Sequence, residues 1–203
     1  MPCILINSQR NNIVSEVVSL VNDSGRVECE VMKRVLVIGC PGAGKSTFAR
    51  RLRDVTGLPL YYLDMMWHKP DRTTVTREQF DSWLQSILKR DAWIIDGNYA
   101  RTLPQRLEYC DTVFFLDFPT DICVAGAEQR IGVKREDMPW VEHEFEEEFR
   151  QYIAEFPTRQ RPQMLCMLEH ATSCLDVRVH VLHSRTELKT VLGDIRTNVE
   201  QSL

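Results

Sequence analysis

Residues 35–47 read VLVIGCPGAGKST, and their pattern is the strongest indication of the fold. Its first four residues form a continuous apolar run, which is typical of a strand buried on both faces. Residues 39–46 then fit the pattern G-x-x-x-x-G-K-[ST] at every fixed position. Glycines in such a loop let the backbone aim several N–H groups at one phosphate, and the following helix adds its positive N-terminal end. The stretch therefore predicts a strand, a phosphate-binding loop and a helix.

The side chains of this loop predict nucleotide binding. Lys45 would reach the β- and γ-phosphates, and the Ser46 hydroxyl would take a position on Mg²⁺. The predicted nucleotide-binding residues are Gly39, Pro41, Gly42, Ala43, Gly44, Lys45, Ser46 and Thr47. ATP is favoured over GTP because the sequence has no Asn-Lys-x-Asp motif, and its Asp-x-x-Gly string at 54–57 follows the loop too closely. We therefore expect ATP as substrate and Mg²⁺ as cofactor.

The rest of the chain alternates between strand-like and helix-like patterns, which predicts a parallel sheet with helices on both faces. The expected strands are Val35–Ile38, Leu60–Leu63, Trp93–Ile95, Val113–Leu116 and Val177–Leu182. Capping boxes at 76–79 and 184–187 predict two helix starts. A further helix has apolar residues on one face between positions 145 and 156, and Pro157 is expected to end it.

Composition indicates one globular domain. The chain has 203 residues, of which 43% are hydrophobic and 27% charged. Residues 1–31 differ from the remainder and precede Met32, Lys33 and a strand. We expect 1–31 to be an N-terminal extension, either a loosely docked helix or a poorly ordered tail, and 32–203 to be the domain. The net charge of −4 disfavours direct nucleic-acid binding, because dedicated binders are strongly basic.

The apolar runs and the cysteines suggest the compartment. No apolar run approaches the length of a membrane-spanning helix. The seven cysteines include no CxxC pair and no zinc-ligand spacing, so free thiols in a reducing compartment are expected. We expect a cytoplasmic protein that has no membrane partner and is a monomer or a weak dimer.

Acidic residues follow several of the predicted strands. Asp64 and Asp96 stand at the ends of the second and third strands. Open parallel sheets bind ligands at this edge, so both are predicted site residues. Asp64 is expected to contact the acceptor or a water on Mg²⁺, with a turn or helix cap as the alternative. Asp117 has a comparable position but is expected to cap the next helix.

Several strings resemble the adenylate-kinase-like branch of the P-loop proteins, and within it the DNA-topology-modulation (FlaR-type) proteins. They are Gly39–Lys45, Leu63-Asp64 with Trp67, Trp93–Tyr99, Phe115–Pro119, Arg135–Met138 and Arg161-Pro162, within residues 33 to about 193. The resemblance implies a nucleoside-monophosphate-kinase-like fold, a three-layer α/β sandwich around a five-stranded parallel sheet of order 2-3-1-4-5. It also implies that Asp96 holds Mg²⁺ through water and that Arg101 grips the acceptor. The sequence departs from long-lid adenylate kinases in its lid, 131–139, which is short.

Basic and aromatic residues complete the predicted site. Arg130 and Arg135 flank the lid and, with Lys45, are the predicted catalytic residues, because guanidinium groups match the charge of a transferring phosphate. Arg101 and Arg161 are predicted to bind the acceptor. Trp67 and Tyr99 would stack on an acceptor ring, with core packing as the equal alternative.

The sequence thus predicts a Mg²⁺-dependent phosphotransferase that moves the ATP γ-phosphate to a small acceptor such as a nucleotide or nucleoside. The alternative is a nucleotide-dependent regulatory or DNA-topology-associated ATPase, in which slow hydrolysis drives a conformational switch. An acceptor should accelerate ATP turnover by a kinase. A switch should bind a macromolecule in only one nucleotide state.

Overall fold

Five parallel strands form the centre of the structure, a computed structural model that describes residues 32–201. The strands are β1 (Arg34–Gly39), β2 (Leu60–Tyr62), β3 (Trp93–Asp96), β4 (Thr112–Leu116) and β5 (Arg178–Leu182). Their order across the sheet is β2-β3-β1-β4-β5, which confirms the expected fold. Nearly every residue of β1, β3 and β4 is buried, as the continuous apolar runs predicted.

The register of the sheet brings three strand ends together. Val37 of β1 pairs with Asp96 of β3, and Gly39 pairs with Leu116 of β4. Because all the strands are parallel, their carboxyl ends lie at one edge of the sheet. The loop that follows β1 therefore starts between the ends of β3 and β4.

Helices cover both faces of the sheet. They are α1 (Lys45–Thr56), α2 (Leu63–Trp67), α3 (Arg77–Leu88), α4 (Leu103–Tyr109), α5 (Thr120–Glu128), α6 (Glu147–Cys174) and α7 (Arg185–Gln201). Helix α1 packs against α7, whereas α6 packs against α4 and α5. Right-handed crossovers put these two groups on opposite faces, because the chain moves one way from β1 to β2 and the other way from β3 to β5. The result is a three-layer sandwich.

At both predicted helix starts the side chain at the N-cap accepts the expected backbone hydrogen bond. The backbone N–H of Gln79 donates to Thr76 Oγ1 at 3.2 Å, and that of Glu187 donates to Ser184 Oγ at 3.2 Å. Each bond satisfies one of the N–H groups that have no partner inside the first turn of a helix. The local sequence therefore specifies where α3 and α7 begin.

The prediction that Pro157 ends a helix was wrong. Helix α6 continues through Pro157 and Pro162 to Cys174. A proline inside a helix costs about 3 kcal/mol, because it lacks an N–H and its ring crowds the carbonyl four residues earlier. Helix α6 nevertheless buries apolar side chains on both sides of the prolines, namely Ile153, Phe156, Met164, Leu168 and Ala171. Packing of this continuous stripe outweighs the local preference.

The predicted extension, 1–31, lies outside the described residues, so the domain boundary at Met32 stays a prediction. Within residues 32–201, no helix combines the length and the apolar character needed to span a membrane.

Candidate active site

Two glycines of the phosphate loop lie where there is no room for a side chain. Gly39 and Gly42 have φ angles of 138° and 87°, in the region that L side chains rarely adopt. A Cβ on Gly39 would lie 2.3 Å from the carbonyl oxygen of Leu116, and one on Gly42 would lie 1.9 Å from that of Cys123. The fixed glycines of the motif thus serve both backbone geometry and close packing.

Helix α5 supplies a glycine that the sequence analysis did not single out. A Cβ on Gly126 would lie 2.2 Å from the carbonyl oxygen of Gly42. The loop and the helix therefore touch backbone to backbone, with a glycine on each side. A glycine inside a helix costs about 1 kcal/mol relative to alanine. Gly126 in the string Ala125-Gly126-Ala127 could therefore have indicated a close backbone contact.

Lys45 and Asp96 are buried beside the loop. Lys45 Nζ donates to the carbonyl oxygen of Cys40 at 3.0 Å. Burial lowers the pKa of Lys45, and the charge of Asp96 is the main influence that opposes this shift. Burial raises the pKa of Asp96 to about 6, opposed by Lys45 and by the Ser46 side chain. Opposite charges and a hydroxyl therefore meet at the carboxyl end of β3.

The donor groups at this point fit a magnesium ion. Asp96 Oδ1 is buried and has no hydrogen-bond partner among the described residues. Across residues 32–201, no group of three or more His, Cys, Asp or Glu side chains is placed to hold a metal. Mg²⁺ in phosphoryl-transfer sites is held by one or two protein oxygens together with phosphates and waters. Asp96 and Ser46 match that requirement.

Asp64 lies in the first turn of α2, and its charge acts on both Lys45 and Asp96. The Tyr99 hydroxyl donates to Asp64 Oδ1 at 2.9 Å. Burial raises the pKa of the Tyr99 hydroxyl above its usual range, and the negative charge of Asp64 adds to this shift. The hydroxyl therefore stays protonated and donates to the carboxylate.

The two aromatic residues predicted for acceptor stacking belong to an internal cluster. The Tyr99 ring stacks on the buried Phe80 ring with 5.2 Å between centroids, and the Trp67 ring meets Phe80 edge-on at 5.5 Å. Ring contacts of this kind stabilise a core. Of the two alternatives, core packing describes the contacts of Trp67 and Tyr99.

Two arginines predicted to bind the acceptor are engaged with carboxylates. Arg101 donates to both oxygens of Asp81, at 2.5 and 2.9 Å. Arg161 donates to both oxygens of Asp117, at 2.7 Å each. Paired in this way, neither guanidinium presents an unshared charge to an acceptor.

The pairing with Arg161 also corrects the prediction for Asp117. Helix α5 has Pro119 at its N-cap position and no side-chain cap bond. The pair with Arg161 gives Asp117 two charge-assisted hydrogen bonds where a cap would give one, and the Asp117 side chain is almost fully buried beside that partner.

Residues 129–146 link α5 to α6 and contain the predicted lid. Arg135 donates to Asp137 at 3.3 Å and to Glu142 at 3.0 Å. Asp137 also accepts from Arg50 of α1 at 3.5 Å, and Glu136 pairs with Arg53 at 3.4 Å. These contacts fasten the segment to the helix that follows the phosphate loop.

Arg130, at the start of the lid segment, is half-buried. Within residues 32–201 its guanidinium makes no hydrogen bond and no ion pair with a side chain. Burial lowers its pKa, and so does the positive charge of Arg135, whereas Asp96 is among the groups that oppose the shift. The charge of Arg130 therefore acts on Lys45, and that of Arg135 acts on Arg130.

Asn98 is a further residue that the sequence analysis did not assign. The backbone N–H of Gly39 donates to Asn98 Oδ1 at 3.0 Å, and Asn98 Nδ2 donates to the carbonyl oxygen of Gly39 at 2.8 Å. The side-chain amide therefore pairs with both backbone groups of the first loop glycine. The pair spans 59 residues of sequence, so local patterns could not reveal it.

Comparison with known proteins agrees with the architecture. No model of a known protein family matches the chain, and no curated protein matches it. Among solved structures, shikimate kinase from Acinetobacter baumannii, in complex with shikimate, has 14% identity and a TM-score of 0.55, over 85% of this chain and 96% of that one. Shikimate kinase from Bacteroides thetaiotaomicron has 16% identity and a TM-score of 0.52, over 83% and 99%.

A gluconokinase from Sinorhizobium meliloti 1021 has 15% identity and a TM-score of 0.47, over 83% of this chain and 92% of that one. None of these three structures is described as a DNA-topology-modulation protein, so that resemblance stays a prediction. At such identities a structural likeness establishes a common fold. The chain has the fold of the P-loop kinases.

Proposed function

We propose that this chain is an ATP-dependent phosphotransferase that acts on a small acceptor. One observation carries the proposal: Lys45 is buried in a complete phosphate loop, where the charges of the buried Asp96 and of the half-buried Arg130 both act on it. Phosphoryl transfer spreads negative charge over the moving group, and catalysis consists largely of positioning and of stabilising that charge. Lys45 and Arg130 supply positive charge for this purpose, and Arg135 can do so when it releases Asp137 and Glu142.

Each proposed residue has a distinct role. The backbone of 39–47 binds the phosphates of ATP, and Lys45, Arg130 and Arg135 stabilise the transferring group. Ser46 and Asp96 would hold Mg²⁺. When bound, this ion neutralises charge on the phosphate oxygens. Because Asp96 is buried, its carboxylate has little freedom to reorient.

Asp64 marks the acceptor side of the proposed site. Its carboxylate already accepts a hydroxyl hydrogen from Tyr99, and it can do the same for an acceptor hydroxyl. A nucleotide or nucleoside remains the proposed acceptor. To bind an anionic acceptor, Arg101 and Arg161 would have to exchange Asp81 and Asp117 for it. The shikimate kinase of the same fold was solved with a small hydroxylated molecule, which supports testing such acceptors as well.

An acceptor panel with γ-labelled ATP tests this proposal. The panel should contain nucleosides, nucleoside monophosphates, hydroxy acids and neutral polyols. We expect labelled product from one class, and faster ATP turnover when that acceptor is present. The Lys45→Ala variant is the control, since it should form no product. ATP binding without labelled product from any class would instead favour the regulatory ATPase.

A further inference from the structure

Arg106 of α4 is a fully buried cation without a carboxylate partner among the described residues. Its guanidinium donates to three main-chain carbonyl oxygens: that of Gly97 at 2.8 Å, that of Tyr99 at 3.2 Å, and that of Asn98. Its Nε–H has no hydrogen-bond partner within the same part of the chain. Burial lowers the pKa of Arg106 to about 9. Burying a charge without an ionic partner is costly, and here three hydrogen bonds to main-chain carbonyl groups offset that cost.

The three carbonyl groups belong to one loop, residues 97–99, which follows β3. Gly97 has a φ angle of 134° and Tyr99 one of 35°. A tyrosine at positive φ is strained, and such strain persists only when surrounding contacts hold it. Three consecutive carbonyl groups converge on Arg106, which supplies these contacts.

Loop 97–99 touches both halves of the proposed site. On the ATP side, Asn98 makes two hydrogen bonds to the backbone of Gly39. On the acceptor side, the Tyr99 hydroxyl donates to Asp64. The donor and acceptor halves are therefore connected through one three-residue loop, and that loop is fastened to one buried guanidinium.

We propose that Arg106 and Asn98 are positioning residues: Arg106 holds loop 97–99 in its strained form, and the loop sets the phosphate loop through Asn98 and Asp64 through Tyr99. Neither residue contacts the reacting atoms. The kinetic part of this proposal rests on the proposed phosphotransferase activity, whereas its ATP-binding part requires nucleotide binding alone.

Variants of Asn98 test the donor side. Asn98→Ala removes both bonds to Gly39, and Asn98→Asp removes one and places a negative charge near the phosphates. We expect each to weaken ATP binding at least about tenfold, measured by calorimetry with the wild-type chain as reference. Tyr99→Phe keeps the ring and removes the hydroxyl. It should leave ATP affinity within about twofold and raise the acceptor KM.

Arg106→Lys tests the connection itself. Lysine keeps the charge but cannot span three carbonyl groups, so we expect ATP affinity and acceptor KM to worsen together. Arg106→Met should be more severe in both. In the double variant Arg106→Lys/Asn98→Ala, the loss of ATP affinity should be smaller than the product of the two single losses, because both act on one contact. Arg159→Lys, at an exposed position on α6, is the matched control and should change neither quantity.

Several results would overturn the proposal. If Arg106→Lys and Asn98→Ala lower the melting temperature but leave ATP affinity and acceptor KM within about twofold of wild type, the two residues are only structural. Multiplicative losses in the double variant would show that they act independently. If no acceptor is ever phosphorylated, the proposed function fails, yet ATP affinities still decide the donor side. A wild-type chain that does not bind ATP overturns both.

Discussion

Arg101 and Asp81 form a bidentate ion pair, with distances of 2.5 and 2.9 Å between the guanidinium nitrogens and the carboxylate oxygens. The pair connects the short turn after β3 to helix α3, and both side chains are nearly half exposed. Arg101 follows the strand end that carries Asp96, so it is placed near the site while its charge is shared. Arg101 can bind an acceptor only if its guanidinium releases Asp81.

Substitution of each partner tests this role of Arg101. We expect Arg101→Ala to raise the acceptor KM at least about tenfold and to leave ATP affinity unchanged, because one charge-assisted contact to the acceptor is lost. Asp81→Asn frees the guanidinium, so the acceptor KM should stay equal or fall. Steady-state kinetics with the acceptor found in the panel gives both values. Equal KM increases in the two variants would mean that only the ion pair matters.

The loop lysine should govern ATP affinity. Lys45→Ala removes a buried cation that is placed for phosphate binding, and we expect ATP affinity to fall at least about tenfold by calorimetry. The variant should remain folded, but we expect no rise in its melting temperature, because the buried Asp96 loses the cation that opposes its desolvation. Lys89→Ala, at an exposed position after α3, is the matched control. Unchanged ATP affinity in Lys45→Ala would contradict the nucleotide site.

The lid arginines should act on turnover more than on ATP binding. Arg130→Ala and Arg135→Ala remove charges that meet the transferring phosphate, where negative charge is greatest in the transition state. We expect kcat to fall about 100-fold or more, while ATP affinity changes only severalfold. Arg135→Ala should also loosen the lid segment, because Asp137 and Glu142 lose their partner. A fall in ATP affinity as large as the fall in kcat would mean that these residues bind ATP in the ground state and do not act mainly on the transition state.

Asp96 should make stability without nucleotide depend on pH. Its pKa is raised from 3.8 to about 6 in the folded chain, so the folded state binds more protons than the unfolded state in that window. Stability contributed by Asp96 is therefore present at acidic pH and is lost as pH rises through the window. Asp96→Asn should raise the melting temperature at about pH 7 and change it little at about pH 4. An identical shift at both pH values would contradict the burial argument.

The residues before Met32 should be dispensable for the proposed activity. The five strands that the structure describes and every proposed site residue lie within 32–201. A shortened chain that starts at Met32 should keep its melting temperature within a few degrees and its ATP affinity within about twofold. Thermal unfolding and calorimetry of the two lengths check this. A large loss of either would move the domain boundary towards the N-terminus.

Much of the fold could be predicted from the sequence because the signals were local. Strands β1, β3 and β4 are continuous apolar runs, and the two capping boxes mark the starts of α3 and α7. The glycine-rich motif predicted a loop between a strand and a helix. Where a local rule competed with packing it failed, since α6 passes through Pro157 to bury a longer apolar stripe.

The parallel sheet, the phosphate loop and the acidic residues at the edge of the sheet could be predicted from the sequence alone. They follow from periodicity and from fixed spacing within a few residues. Which polar and charged side chains pair with one another became clear only from the tertiary structure. Arg161 meets Asp117 across 44 residues, and Asn98 meets Gly39 across 59. Such pairs depend on which helices, strands and loops pack against each other, and a local sequence pattern cannot predict that. Arg106 was one of several arginines that follow the strands, and only its full burial beside three carbonyl groups set it apart from them.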